Sequence, residues 1–535
     1  MQMVRPGNFA AGGRVSRFVW RVLLGLTLAS AAAWAQTPTV ASVQNIFDFS
    51  SNLCPGVLVA IYGTNFGSTA SAVSMTVGGK PGFIVAVTPS QINAQIPFEV
   101  SPGNTTIVVT VSGTPSAPLA ITLAAVAPAF FTVDGSGSGS TLITNAAGVP
   151  FTSPAPAQPG GVVVAYLTGL GATNPPTPTG VAPGVLATPM ATPTLMVGGQ
   201  AVPIIAAAVS PGSAGLYQVN FKVPPGVQGA TPIVLSIGGK TTSAQNPNNP
   251  ITIPIFGISA IVNNASYGSS GTTSAGTIVS LYGNGFGTTS QTTGFPATTF
   301  QGVSVTFNGT AAPLFALSVT ASTSTSIGVS QINLLVPDEL PATGTVQVAV
   351  KTSAATSPNF PLTLAAGAPG MYYIADPSTQ GRFNILAQFN QTAWLNMPAS
   401  MATALKLPTG CAANNISPLS LCGQPAAPGD VIVLYATGLG LATPNGDPNG
   451  KPLPTGTVPP ADGSVLYETV ATPSITVGGF PVKPIFSGLA PGFPGLYQID
   501  FQAPTGVTGD DVPVVLGISG SATDKRTMSI QPKAQ

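Results

Sequence analysis

Two short phrases recur four times along this chain, always in the same order, and that recurrence limits the fold more than any other feature. The first closes a β-branched run: YGTNFG from Tyr62, YLTGLG from Tyr166, YGNGFG from Tyr282 and YATGLG from Tyr435. The second follows each time: QINAQIP from Gln91, QVNFKVP from Gln218, QINLLVP from Gln331 and QIDFQAP from Gln498. A Gly-Gly or Asn-Gly turn precedes each second phrase (Gly78-Gly79, Gly198-Gly199, Asn308-Gly309, Gly478-Gly479), and a Val/Ile-rich run follows it. Each repeat therefore reads as strands separated by turns, without a helical period, over roughly the 100 residues of an immunoglobulin-like domain. The 63 glycines and 55 prolines oppose helix, and 44% hydrophobic residues give the chain too much apolar surface to stay disordered.

The repeats group in twos. The first and third share YG-x-x-FG and SQIN; the second and fourth share TGLG, VGG and GLYQ, and GLYQVNFKVPPGVQG from Gly215 matches GLYQIDFQAPTGVTG from Gly495. We expect an all-β chain of tandem immunoglobulin-like sandwiches, four units in two duplicated blocks, 37–257 and 258–535. The units are placed at 36–125, 126–257, 258–366 and 367–535, the last carrying an insertion over about 381–427. APAFFTV and APGMYYI stand at the joint inside each block. The tyrosine phrase reads as a strand exit. The ring is buried, the hydroxyl bonds at the rim, glycine supplies the turn, and the Phe or Leu tucks back under the sheet.

The endings YGTNFG and YGNGFG resemble IPT/TIG immunoglobulin-like domains, whose first strand runs into a G-x-x-F-G turn. NNASY at Asn263, SQIN, PGDVIVLYATGLG from Pro428 and GLAPGFPGLYQIDF from Gly488 further resemble an uncharacterised domain family at the C-termini of secreted acidobacterial proteins. Two copies are expected. The second block matches end to end, and the first more loosely, with NIFDFS at Asn45 in place of NNASY. The resemblance implies a secreted β-sandwich pair. It brings no established activity, catalytic residue or ligand.

An enzyme is not expected, and neither is a cofactor. The chain has no histidine, which removes His-based triads and His-containing zinc or iron sites. The acids of the first block, Asp48, Glu99 and Asp134, fall in different segments and do not recur in the second, so they do not suit paired-carboxylate chemistry. The turns NGDPNGK from Asn445 and GDDVP from Gly509 offer oxygen ligands for Ca²⁺, but too few carboxylates converge to assign a metal site. Nucleic acid is not an expected partner, since only 5% of residues are charged and no basic stripe appears.

Candidate ligand contacts are few. Gln218 with Asn220, and Gln498 with Asp500, lie at i and i+2 on one strand face, where they suit either sugar hydroxyls or backbone left unpaired at sheet ends. Tyr217 and Tyr497 precede them and read as core packing or a sugar platform. Trp394, in the insertion with Phe383 and Phe389, is either an exposed contact or part of a local mini-core. Cys411 and Cys422 enclose ten residues and are expected to pair in an oxidising compartment. Cys54 has no evident partner and reads as a buried small residue, against a reactive thiol or an intermolecular bond.

Arg14, Arg17 and Arg21, then an apolar run from Val22 to Ala33, then Ala33-Trp34-Ala35, make a secretory signal peptide over 1–35. Cutting there removes four of 15 basic residues against 14 acidic ones, so the mature chain carries about −3. No membrane span is expected in it. The sequence thus favours a secreted, non-enzymatic adhesion or extracellular binding protein, with polysaccharide or a cell-surface protein as partner. The alternative is a structural stalk or matrix unit that self-associates through low-charge surfaces. A third reading is an accessory module of a secreted enzyme system.

Overall fold

Valine, isoleucine and threonine alternate with polar residues through most of the long runs, and in the computed structural model these runs become antiparallel strands. The structure describes residues 37–268, 271–287, 289–319 and 329–532. The signal-peptide reading and its cleavage site lie outside them. Among the described residues one α-helix occurs, Ala399–Ala404, and no helix is long and apolar enough to cross a membrane.

Four separate hydrophobic cores follow one another along the chain, around Ile61, Phe221, Phe307 and Phe501. Each lies between two sheets, so the chain is a tandem of immunoglobulin-like sandwiches. In every unit the strand ending in the tyrosine phrase pairs directly with the strand carrying the Gln phrase. Leu58–Thr64 pairs with Gln91–Gln95, Val162–Thr168 with Tyr217–Lys222, Ile278–Asn284 with Ser330–Leu335, and Val431–Thr437 with Tyr497–Gln502. The register sets Tyr62 opposite Gln91, Tyr166 opposite Gln218, Tyr282 opposite Gln331 and Tyr435 opposite Gln498. The two recurring phrases are therefore cross-strand neighbours at the centre of one sheet.

The residue expected to tuck under the sheet does so: Phe66, Leu170, Phe286 and Leu439 are all buried. The tyrosine ring stays half-buried on the outer sheet face instead. Its strand neighbours fill the core, and the period of two turns it away from them.

The insertion is not a free loop. Its Ala387–Phe389 pairs with Val431–Thr437, while Phe383–Ile385 joins the opposite sheet beside Arg526–Ile530. In the second unit the short strand Ile143–Thr144 pairs with the equivalent strand, so the insertion elaborates a feature the first block already has. Helix Ala399–Ala404 closes a small core of Leu395, Met397, Met401 and Ala402, and the Cys411 and Cys422 sulfurs are bonded beside it.

Candidate functional site

The TGLG glycines bring consecutive units together. At Gly169 (φ 79°) a β-carbon would fall 1.9 Å from the Ala127 carbonyl oxygen, and at Gly438 (φ 79°) 2.1 Å from that of Ala368. Only glycine allows the linker to pass so near the strand exit. The preceding threonine is fully buried and clamps the joint. Thr168 Oγ1 accepts from the Leu58 amide at 3.0 Å and donates to the Gly215 carbonyl at 2.9 Å. Thr437 Oγ1 accepts from Ile278 at 2.9 Å and donates to Gly495 at 2.8 Å.

Further contacts repeat in the same way. The Asn45 and Asn263 amides donate to the Ala127 and Ala368 carbonyls, at 3.1 and 3.0 Å. The Thr179 amide donates to Glu99 at 3.2 Å, and the Thr455 amide to Glu339 at 2.9 Å, each threonine hydroxyl reaching the same carboxylate. These bonds hold both glutamates below the usual carboxylate range against the opposing effect of desolvation. Glu99 is thus a structural clamp and, against the expectation that the acids of the first block do not recur, it returns in the second as Glu339. Asp48 caps its own turn through Ser50, and Asp134 through Ser136.

A cleft of about 460 Å³ lies between the first and second units, and its walls include Phe47, Phe83, Val85, Phe131 and Tyr166. Phe47 and Phe131 meet across it at 5.0 Å between ring centroids. Asn93 of the first Gln phrase supplies an amide, already bonded to Gln91 Nε2 at 2.7 Å. On the matching face of the fourth unit a smaller cleft, about 340 Å³, is lined by that unit alone and places Tyr372, Leu386, Tyr435 and Leu496 where the first has Phe131, Leu142, Tyr166 and Leu216. Phe493 stands in it where the first has Ser213. The Tyr435 hydroxyl donates to Gln388 Oε1 at 2.7 Å, and Tyr166 shares a bond with Thr144 at 3.2 Å.

The sequence singled out other residues, and the structure disperses them. Tyr217 and Tyr497 cannot be a sugar platform. They are 0% and 1% exposed, and their hydroxyls donate to the Gly171 and Gly440 carbonyls of the TGLG turns. Gln218, Asn220, Gln498 and Asp500 share the outer sheet face but line neither cleft. Their amides do not reach for backbone at sheet ends. Gln218 Nε2 donates to Asn220 Oδ1 at 3.4 Å, Gln498 Nε2 to Asp500 Oδ1 at 3.5 Å, and Gln331 to Asn333 at 2.7 Å. Burial pushes Asp500 up to about 6.

Trp394 is half-buried against the fourth core, and its Nε1 donates to the Ser417 carbonyl at 3.1 Å, anchoring the disulfide loop. The acidic turns do not converge: Asp511 pairs with Arg382 at 2.5 Å, and Asp447 organises its own turn. Among the described residues no three acidic or cysteine side chains gather to hold a metal. Cys54 is fully buried, its thiol pushed up to about 12 by desolvation.

Sequence reasoning passed over the cleft because its walls come from both units. The available signal was the paired phenylalanines of APAFFTV at the joint; that Phe47 of NIFDFS, some eighty residues earlier, meets Phe131 appears only in the structure.

No curated protein matches the chain. Among solved structures it is similar to a protein of unknown function from Bacteroides thetaiotaomicron, at 19% identity over 24% of this chain, with a TM-score of 0.15; the match spans 33% of that chain. SGBP-B of the mixed-linkage glucan utilization locus of Bacteroides ovatus, solved with a mixed-linkage heptasaccharide, is 16% identical over 64% of this chain and 76% of its own, TM-score 0.14. Invasin, a bacterial integrin-binding protein, is 11% identical over 93% of this chain and 79% of its own, TM-score 0.15. The IPT/TIG domain model matches residues 41–123, the span of the first core. Residues 41–123 are therefore an IPT/TIG domain, the first of the immunoglobulin-like units in this chain.

Proposed function

We propose that this is an exported, non-enzymatic binding protein that engages a polysaccharide or a cell-surface protein through the cleft between its first two units. The observation that carries the reading is the cleft itself: concave, walled by aromatic and aliphatic side chains, and braced by contacts that recur at the second joint. A preformed apolar cavity of this size with one amide at its wall suits binding, since little ordering cost remains when a ligand arrives. Export rests on the leader over 1–35, and the proposed unit boundaries (36–125, 126–257, 258–366 and 367–535) follow the sequence repeats. The likeness of the second block to the acidobacterial domain family supports the same address.

The test is depletion of the exported chain (36–535) from solution by insoluble cellulose, chitin, xylan and bacterial envelopes. Selective loss on one of them, reduced by Phe83→Asp at unchanged melting temperature, is the expected result. Phe83 lies at the cleft mouth and is 41% exposed, so the fold tolerates the change. Loss on none, or equal loss on all, would overturn the reading in favour of a self-associating structural protein.

A further inference from the structure

The first and third units share a sheet but finish it differently. In the first, the sheet ends at strand Phe83–Val87, which pairs only with Gln91–Gln95 among the described residues. In the third, the corresponding strand Leu314–Val319 is covered by a further strand, Gln291–Ala297, through the pairs Gln291 with Leu317, Thr292 with Ala316 and Ala297 with Leu314. The correspondence is residue by residue. Ala86 faces Asn93 as Ala316 faces Asn333, and each strand bulges one residue earlier. Val85 thus stands where the third unit has Phe315. Phe295 of the covering strand stacks on Phe315, with centroids 4.6 Å apart and planes 11° from parallel. Val85 is 56% exposed. The covering strand belongs to residues 288–302, whereas the first unit spans the same interval with Ser68–Ala72 alone.

An uncovered edge offers a row of backbone donors and acceptors to any strand that approaches. Natural edges are guarded by charge or by bulges. Phe83–Val87 holds no charged residue, and the third unit demonstrates that the bulge does not prevent pairing. The edge also runs into the cleft, because Phe83 and Val85 both form its wall. The second-block cleft has no edge-strand residue among its lining; there the edge already has its partner.

We propose that the free edge of Phe83–Val87 is a strand-addition site for an extended, uncharged peptide segment of another protein, with an aromatic side chain of that segment seated at Val85 and the cleft mouth. The inference deepens the binding function above and rests on it. Charge matching supports the choice of occupant. The cleft walls and the edge are uncharged, and the strand seated on the equivalent edge, QTTGFPA, is uncharged and carries the stacking phenylalanine. Backbone pairing would supply affinity, and the position of the aromatic ring would supply selectivity.

The probe is the peptide SQTTGFPATTF, the sequence of residues 290–300, labelled with fluorescein and titrated with the exported chain by anisotropy. We expect saturable binding, weakened at least ~tenfold by Val85→Lys in the chain and by Phe295→Ala in the peptide. Val85→Phe, which restores the ring found in the third unit, is expected to tighten binding, an effect that mere structural damage would not produce. Absence of saturable binding, or equal binding by Val85→Lys, overturns the proposal. So does sedimentation showing a dimer that Val85→Lys abolishes while the peptide does not bind, since the occupant would then be a second copy. If the peptide fails but Phe83-dependent retention on envelopes persists, the strand-addition site falls and the binding function stands.

Discussion

Asp338→Asn is expected to stabilise the protein above neutral pH and to leave it little changed in acid. The two joints differ at this position. In the first block Phe98 packs on the second core, its ring lying beneath Gly56. In the second block the matching residue is Asp338, beneath Gly276. A β-carbon on Gly276 would lie 2.5 Å from Asp338 Oδ1 and 3.3 Å from the Tyr497 hydroxyl. Burial, and then the neighbouring Glu339 carboxylate, push Asp338 up to about 7 from 3.8, with the Thr455 hydroxyl opposing them. Between those values the native state holds a proton that the unfolded chain has released, so stability falls as pH rises. At 1.36 kcal/mol per unit, the full loss above neutrality is about 4 kcal/mol. Asparagine keeps the shape without the charge. Its advantage over wild type, read from urea unfolding, should grow by about 3 kcal/mol from pH 5 to pH 8. Asp500, also raised, is present in both chains and cancels, and Glu339, held low, stays ionised across this pH range in both. Parallel pH profiles for the two proteins would refute the reasoning.

Thr168→Val with Thr437→Val removes the two buried hydroxyl clamps. Each change should cost about 1–2 kcal/mol and loosen the angle between paired units, visible as a broader small-angle scattering profile. Trp394→Ala should lower the stability of the fourth unit by about 2 kcal/mol, because the ring packs on its core and holds Ser417; an unchanged melting curve would assign the ring to ligand contact instead. Reducing Cys411–Cys422 should release about 3 kcal/mol of loop constraint and shift tryptophan fluorescence, while the first three cores keep their melting transitions. Cys54 should resist a thiol reagent in the native protein and react after denaturation, as a fully buried thiol raised to about 12 requires.

The sandwiches were legible because their signal is local. Alternation along each strand, glycine at each turn and two recurring phrases are properties of a few consecutive residues, and they dictate strands whatever lies around them. The buried Phe66, Leu170, Phe286 and Leu439 were readable for the same reason. Tyr217 and Tyr497 left two readings open, because a tyrosine beside a polar strand face looks alike in sequence whether its hydroxyl meets solvent or a carbonyl. Only the approach of the TGLG turn, 46 residues earlier in the chain for Tyr217 and 57 for Tyr497, decided for the core.

The strand addresses, the turns and the duplication belong to the sequence of this protein alone, since backbone sterics and side-chain period act between near neighbours. The joints belong to the tertiary structure. Whether Glu99 meets Thr179, whether Phe47 meets Phe131, and whether Phe83–Val87 finds a covering strand all depend on contacts between units or on the length of a connection elsewhere. Those contacts are set by how two finished sandwiches pack, and that packing creates both the cleft and the edge beside it.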